Sequence, residues 1–350
     1  MKALVLHAYS SDNAGDGLLV RETLDLIREA VGSAVEITML ASRPDSFRDL
    51  GIKVHHSVPS VRGYDPNYLR TLKAIDDFDL VIGVGGGYLR TGSLKEALKT
   101  VLVQGPQLWA ASRTSAPTIY LPQSVGPARF ATRRLIQRML EKIDHVQMRD
   151  DRSIVECGGA TSERKGDLAT SRVLNGRQSG REPSGPPVIS IRAVRGIVSP
   201  VIYELVNGSM VYDSYVQSTT GGNDDRPATA TLRPRQTIER AELMTPGGTP
   251  RVVVAVRLHA ALMALAAGHY VIHLAYERKG FGAYDDLGIA DWVHNVNSFD
   301  VEKVRRQIHE LMYDDVVRSS YDEALKSSGP RLSREREDLV SIIRTLARAN

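Results

Sequence analysis

The chain has 350 residues, 42% of them apolar and 25% charged, and its 45 Lys and Arg against 41 Asp and Glu leave a net charge of +4. At roughly 150 residues per domain that length holds about two domains, each with its own hydrophobic core, and the composition excludes a disordered or fibrous chain. So dilute a positive charge also excludes a nucleic-acid binder, in which basic residues cluster with aromatics, and the single cysteine, Cys157, excludes a disulfide scaffold or a Cys-based metal site.

Lys2 to Leu6 is apolar and β-prone, a glycine-bearing loop follows at Asn13 to Gly17, and Leu18 to Val31 has apolar residues at helical spacing. Charged and glycine-rich residues follow the first apolar run, so it reads as a strand rather than a signal core. Further strands are expected at Val35 to Leu40, Leu80 to Val84 and Thr118 to Leu121, with helices at Leu94 to Ala110 and Phe130 to Lys142. Asn175 to Pro187, NGRQSGREPSGPP, is rich in Gly, Pro and Ser and reads as a linker. Beyond it, strands are expected at Val188 to Ile191, Met210 to Val216, Val252 to Val256 and Val271 to Leu274. Short apolar strands alternating with helices predict parallel sheets covered on both faces.

The expected organisation is therefore an α/β chain of two Rossmann-like domains, residues 1–175 and 188–330, joined by a linker at 176–187. Residues 331–350 form a charged helix with Leu339, Ile342, Ile343 and Leu346 on one stripe. That helix either crosses back onto the first domain or lies on a membrane surface. No stretch approaches the roughly 18 consecutive apolar residues of a membrane-spanning helix, and one cysteine fits a reducing cytoplasm.

Ligands of such sheets bind beyond the carboxyl ends of the strands, so the candidate residues are those on loops that follow strands. The first strand leads to Asn13-Ala14-Gly15-Asp16-Gly17, where Asp16 either caps the helix or presents a carboxylate able to take a hydroxyl proton. Gly85-Gly86-Gly87 ends another strand and leaves bare backbone for a turn or a ligand. Gln123 and Ser124 follow a third and offer an amide and a hydroxyl.

The strongest local feature is Arg257-Leu258-His259, directly after a strand and opening AALMALAA, a helix apolar on all sides and hence buried. Its first turn places a guanidinium fork and an imidazole at the ligand edge, beside free backbone N–H donors. The basic pair Arg278 and Lys279, at the carboxyl end of the next strand, is either a solvated charge run or, with Arg257, a cationic pocket suited to a compact, highly charged anion, and Arg192, ending the strand Val188 to Ile191, is placed toward the same space. No zinc motif, P-loop or nucleophile elbow is present, and no metal is expected.

Read in order, these residues resemble the polysaccharide pyruvyl transferase family. The blocks are NAGDGLL at Asn13 to Leu19, GVGGG at Gly83 to Gly87, LPQSVGP at Leu121 to Pro127, MRDDRS at Met148 to Ser153, ISIR at Ile189 to Arg192, and VRLHAALMALAAG with YVIHLAYERKG within Val256 to Gly280. The resemblance implies a GT-B-like arrangement of the two domains and transfer of pyruvate from phosphoenolpyruvate, as co-substrate, to two hydroxyls of a sugar. No cofactor is implied. It would make His259 the general acid, Arg257 a catalytic and donor-binding residue, and Asp16 a candidate base. Arg192, Lys279 and Gly85 to Gly87 would then hold the donor, and Asn13, Gln123 and Ser124 the acceptor. The acceptor would be a sugar, glycan or lipid-linked saccharide, which makes peripheral contact with the inner membrane face an expectation. Two alternatives stand beside it: a GT-B glycosyltransferase using a nucleotide sugar, and a non-catalytic protein that binds anions or sugars.

Overall fold

The computed structural model describes residues 1–174, 177, 179–208, 210–219 and 224–348, so Asn175, Gly176 and Gln178 of the expected linker lie outside the described residues. The chain divides into two units. Unit 1 is Met1–Ser11, Asp16–Leu168 and Arg334–Asn350, and unit 2 is Asp12–Gly15 and Ala169–Ser333.

Unit 1 is built from β1 (Lys2–Ala8), α1 (Ala14–Val31), β2 (Glu36–Ala41), β3 (Lys53–His56), α2 (Pro66–Lys73), β4 (Leu80–Gly83), β5 (Gly86–Thr91), α3 (Leu94–Lys99), α4 (Gly105–Ala111), β6 (Thr118–Ala128), α5 (Phe130–Leu140), β7 (His145–Met148), α6 (Asp151–Cys157) and β8 (Ser162–Arg164). Its strands pair in parallel in the order β3-β2-β1-β4-β6-β7-β8, with β5 beside the far half of β6. Successive side chains of a strand face opposite sides, and β1 shows it: Ala3 and Val5 enter the core on one face, Leu4 and Leu6 that on the other. Both faces are covered, which is why these strands read as continuous apolar runs.

Unit 2 contains α7 (Leu168–Leu174), β9 (Val188–Ser190), α8 (Pro200–Val206), β10 (Asp213–Ser214), α9 (Arg226–Thr231), α10 (Arg240–Met244), β11 (Val252–Ala255), α11 (Leu258–Ala266), β12 (Tyr270–Ala275), α12 (Arg278–Asp286), β13 (Val293–Asn295), α13 (Val301–Tyr313) and the first part of α14 (Asp315–Arg348), whose last part, from Arg334, belongs to unit 1. Its sheet is also parallel, in the order β10-β9-β11-β12-β13. Leu339, Val340 and Ile343 from the end of α14 belong to the core of unit 1, together with Leu19 and Leu24 of α1.

The structure adds β3, β5, β7, β8 and β13 to the expected strands, and it differs from the expectation at two further places. The glycine-rich stretch does not merely turn the chain: Gly86 and Gly87 open β5, which pairs with a β6 that runs on to Ala128 through Pro122 and Gly126. The segment Met210 to Val216 keeps only Asp213 and Ser214 as strand, the two residues that pair with Val188 and Ile189.

Three histidines are buried and wired as neutral rings. His7 lies between Gln104 Oε1 at 2.7 Å and the Tyr120 hydroxyl at 2.8 Å. His269 Nδ1 accepts the Arg251 backbone N–H at 3.0 Å while its Nε2 faces the Leu243 carbonyl, and His273 Nδ1 donates to the Ala255 carbonyl at 2.8 Å. Burial lowers each from 6.5 to about 4. An unfolded chain therefore binds protons that the folded one refuses between pH 6.5 and 4, so stability is full above that window and is lost as pH falls through it. Going from pH 7 to 5 should cost about 2 kcal/mol per histidine. Unit 2 holds two of the three, and its denaturant midpoint should fall further at pH 5 than that of unit 1. Equal midpoints at the two pH values would refute the neutral wiring.

Candidate active site

The unit 2 site lies at the carboxyl edge of three adjacent strands, β9, β11 and β12. Arg192 follows β9 and Tyr276 follows β12. Arg192 Nη1 donates to the Tyr276 hydroxyl at 2.8 Å, with the guanidinium 5.0 Å from the ring centre. Since β11 lies between those two strands, this contact bridges its end, where Arg257 and His259 stand.

Arg257 is the last residue before α11, and only 8% of it is exposed. Its fork grips Asp225 in two parallel bonds, Nε to Oδ2 at 2.6 Å and Nη2 to Oδ1 at 2.7 Å. The sequence reading left that fork open for an anion, whereas the structure gives this edge to a carboxylate that is itself 2% exposed. Burial raises the Asp225 carboxyl above its ordinary range, and the charges of Arg257 and then Arg192 pull it back. Asp225 thus ties both arginines into one electrostatic group.

His259 sits in the first turn of α11, whose Leu258, Ala260, Ala261, Leu262, Ala264 and Leu265 are buried. Half-buried itself, it lies on the remaining stripe with Met263. Gly15 meets it: a Cβ at that position would stand 2.2 Å from His259 Nδ1, closer than any real contact. The glycine is needed there because the backbone passes directly against the imidazole. The same loop carries Asn13, which bridges to Ser218 and whose Oδ1 accepts the Gly15 N–H at 3.3 Å. Asp16, next in the chain, belongs to unit 1 and is half-buried in the first turn of α1.

Lys279 lies in the first turn of α12, its Nζ 2.9 Å from Glu277 Oε2. It is close enough to His273 to help disfavour a proton there. Nearby buried polar atoms, the hydroxyls of Ser190 and Ser218 and Gln217 Oε1, have no hydrogen-bond partner among the described residues. A cavity of about 520 Å³ in unit 2 is lined by Gln217, Arg226, Thr229 and Arg240, but its lining includes neither His259 nor Arg257.

Unit 1 has a polar centre of its own at the middle of β6 and the end of β7. Arg149, directly after β7, is buried, with Nη1 2.6 Å from Asp167 Oδ2 and Nε donating to Ser124 Oγ at 2.9 Å. Ser124 in turn donates to Asp150 Oδ2 at 2.6 Å. Gln123 is fully buried, and neither of its side-chain polar atoms has a partner among the described residues. Gly87 fits here because a Cβ would stand 3.2 Å from Arg149 Nη2, and Gly85 because one would stand 2.8 Å from the Pro122 carbonyl.

The structure therefore groups Arg192, Arg257, His259 and Lys279 with Asn13 and Gly15 in unit 2, and Gly85 to Gly87 with Gln123 and Ser124 in unit 1. The glycines and the cations expected to share the donor belong to different units. Sequence reasoning missed Asp225, Tyr276 and Arg149. Arg149 carries a readable signal, a charged residue directly after a strand, whereas Asp225 sits in a polar loop with none. Cys157 is buried and its thiol is pushed up to about 11, which fits a packing role. Among the described residues no group of three or more His, Cys, Asp or Glu is assembled to hold a metal.

The chain is similar in structure to MurG of Acinetobacter baumannii, with a TM-score of 0.50 and 13% identity over 99% of this chain and 100% of that one. An O-GlcNAc transferase mutant of Thermobaculum terrenum gives 0.53 and 14% over 100% and 68%, and an alpha-glucosyltransferase solved with UDP and DNA gives 0.53 and 10% over 97% and 99%. These likenesses define the class of fold, two Rossmann-like units of the kind found in GT-B glycosyltransferases. No curated protein sequence matches the chain. The chain belongs to the polysaccharide pyruvyl transferase family, whose model matches residues 13–207. That match takes in the NAGDG, GVGGG, LPQSVGP, MRDDRS and ISIR blocks and ends before Arg257.

Proposed function

We propose that this protein transfers pyruvate from phosphoenolpyruvate to two hydroxyls of a sugar, forming a cyclic ketal. The observation that carries the reading is the grouping of His259, Arg257 and Arg192 at one sheet edge of unit 2, with the Asn13 to Gly15 loop of the family motif packed against the imidazole.

In this reading His259 protonates the methylene carbon of phosphoenolpyruvate, which leaves an oxocarbenium centre at the adjacent carbon. One sugar hydroxyl adds there and gives its proton to a base, for which Asp16, directly after Gly15 in the chain, is the candidate. Phosphate then departs, and the second hydroxyl closes the ring. Of the two hydroxyl protons, one is balanced by the new methyl group and the other by the released hydrogen phosphate. Arg192 faces the donor's phosphate and carboxylate together with Arg257 and Lys279, whose charges are shared with Asp225 and Glu277, and preorganised cations in a site of low dielectric stabilise such charge strongly. Asp225 keeps the arginines in place before the donor arrives. The buried Gln123 amide and the Ser124 hydroxyl are polar groups suited to a sugar acceptor.

The test is release of inorganic phosphate from phosphoenolpyruvate with saccharide acceptors, set beside the same acceptors with nucleotide sugars. Turnover dependent on both phosphoenolpyruvate and a sugar is the expected result. Turnover with nucleotide sugars alone would replace the reading with glycosyl transfer.

A further inference from the structure

Residues 94–111 form one helical run, in which α3 and α4 are joined by a π-helical turn at Thr100–Gln104. Its apolar residues are at helical spacing, yet part of them faces water. Leu94 is 84% exposed, Leu98 60%, Val101 57% and Trp109 55%. Leu94, Leu98 and Val101 follow at steps of four and three and share one face, and Trp109, on α4 beyond the π-helical turn, lines the same groove as Val101, so the run presents an outward apolar surface. Val103, Leu108 and Ala111 point inward and hold the run on unit 1.

Beside the stripe lies an apolar groove of about 690 Å³, lined by Leu69, Leu72, Val101, Trp109, Leu135 and Met139. Soluble monomers rarely present contiguous apolar surface of this kind unless something covers it. The charge around it identifies what. Residues 90–142 hold nine Lys and Arg against two Glu, a net +7 in a chain whose total is +4, and from outside that segment the groove is lined by one further charge of each sign, Lys73 and Asp76, which offset one another. Lys95 and Lys99 interleave with Leu94 and Leu98, Arg113 stacks 4.7 Å from the Trp109 ring centre, and Arg138 flanks Leu135 on α5. One of the two acids, Glu96, is engaged in the capping box with Ser93 at the start of α3.

An apolar stripe edged by cations, with a tryptophan on it, is the chemistry of a helix lying in the headgroup region of an anionic bilayer. We propose that the exposed face of residues 94–111 docks unit 1 onto an anionic lipid surface. Leu94, Leu98, Val101 and Trp109 enter the boundary between headgroups and acyl chains, while Lys95, Lys99, Arg113 and Arg138 meet lipid phosphates. No helix among the described residues is long and apolar enough to cross a membrane, so the contact is peripheral. This docking is independent of the chemistry in unit 2 and stands whether or not pyruvyl transfer does.

The experiment is flotation of the full chain with vesicles of phosphatidylcholine alone and of phosphatidylcholine mixed with phosphatidylglycerol, at low and high salt, with tryptophan emission recorded. Binding is expected only to the mixed vesicles, weaker at high salt, with a blue shift that Trp109→Ser removes. Leu98→Glu combined with Trp109→Ser should weaken binding by about tenfold or more, and Lys95→Glu with Lys99→Glu by a similar factor. All four side chains are exposed, so thermal melts should match the wild type. Failure of the wild-type chain to float with the mixed vesicles would overturn the proposal, as would variants that float unchanged or equal binding to neutral vesicles. So would a dimer in size-exclusion light scattering that Leu98→Glu splits without changing flotation, because a second copy would then be the occupant.

Discussion

Replacing His259 by Ala is expected to lower phosphoenolpyruvate-dependent transfer by about 10²- to 10⁴-fold, the usual contribution of one positioned proton donor. The substitution removes a half-buried ring that packs on the Gly15 backbone but lies outside the buried apolar face of α11, so the fold should survive and the melting temperature should stay near that of the wild type. Donor affinity should change little, because the charged groups that hold it remain. Gly15→Ala supplies the positional control. It leaves the imidazole chemically intact but places a methyl 2.2 Å from the present position of His259 Nδ1. Ring or loop must move, and a displacement of about 1 Å can cost on the order of 10² in rate. Wild-type turnover in both variants, measured by phosphate release, would remove His259 from the chemistry.

A second large effect is expected at the Arg257–Asp225 pair. Arg257→Met leaves a carboxylate buried without its partner, which typically costs about 3–5 kcal/mol. The sign of its pH dependence follows from the shift already present. Burial holds the folded Asp225 above the usual carboxyl value, and loss of Arg257 raises it further. The folded variant then binds a proton that the unfolded chain releases, so the deficit relative to wild type is small in acid and grows as pH rises through the raised value. Pairing Arg257→Met with Asp225→Leu removes both charges, and stability should return to within about 1 kcal/mol of wild type, as for buried pairs replaced by apolar ones. If Arg257 only supports the fold, that double variant will bind phosphoenolpyruvate normally in a thermal-shift titration. If it holds the donor, binding stays lost although the protein is stable again.

The pair also shows where reading residues in order stops. Arg257 announces itself by following an apolar strand and opening an apolar helix. Asp225 lies 32 residues earlier in a polar loop, and only the packing of unit 2 brings it to the guanidinium. Likewise Gly15 reads as a flexible loop residue, and its requirement for a bare backbone appears only when His259 is placed beside it. Strand β6 reads as ending near Leu121 because Pro122, Gly126 and Pro127 are turn formers. It continues because β5 offers a partner, and pairing across the sheet outweighs local preference.

What the order of residues determined by itself is the alternation of apolar strands and helices, hence two parallel sheets, and the placing of Arg192, Arg257 and His259 after strands. These follow from local periodicity, since a buried strand and an amphipathic helix each require a spacing visible along a few neighbours. What only the tertiary structure decided is which distant groups satisfy those residues, Asp225 for Arg257, Tyr276 for Arg192 and Asp167 for Arg149, and which side of the helical run at 94–111 meets water. A period of 3.6 residues specifies that a helix has an apolar face. Whether that face is covered depends on what the rest of the chain packs against it.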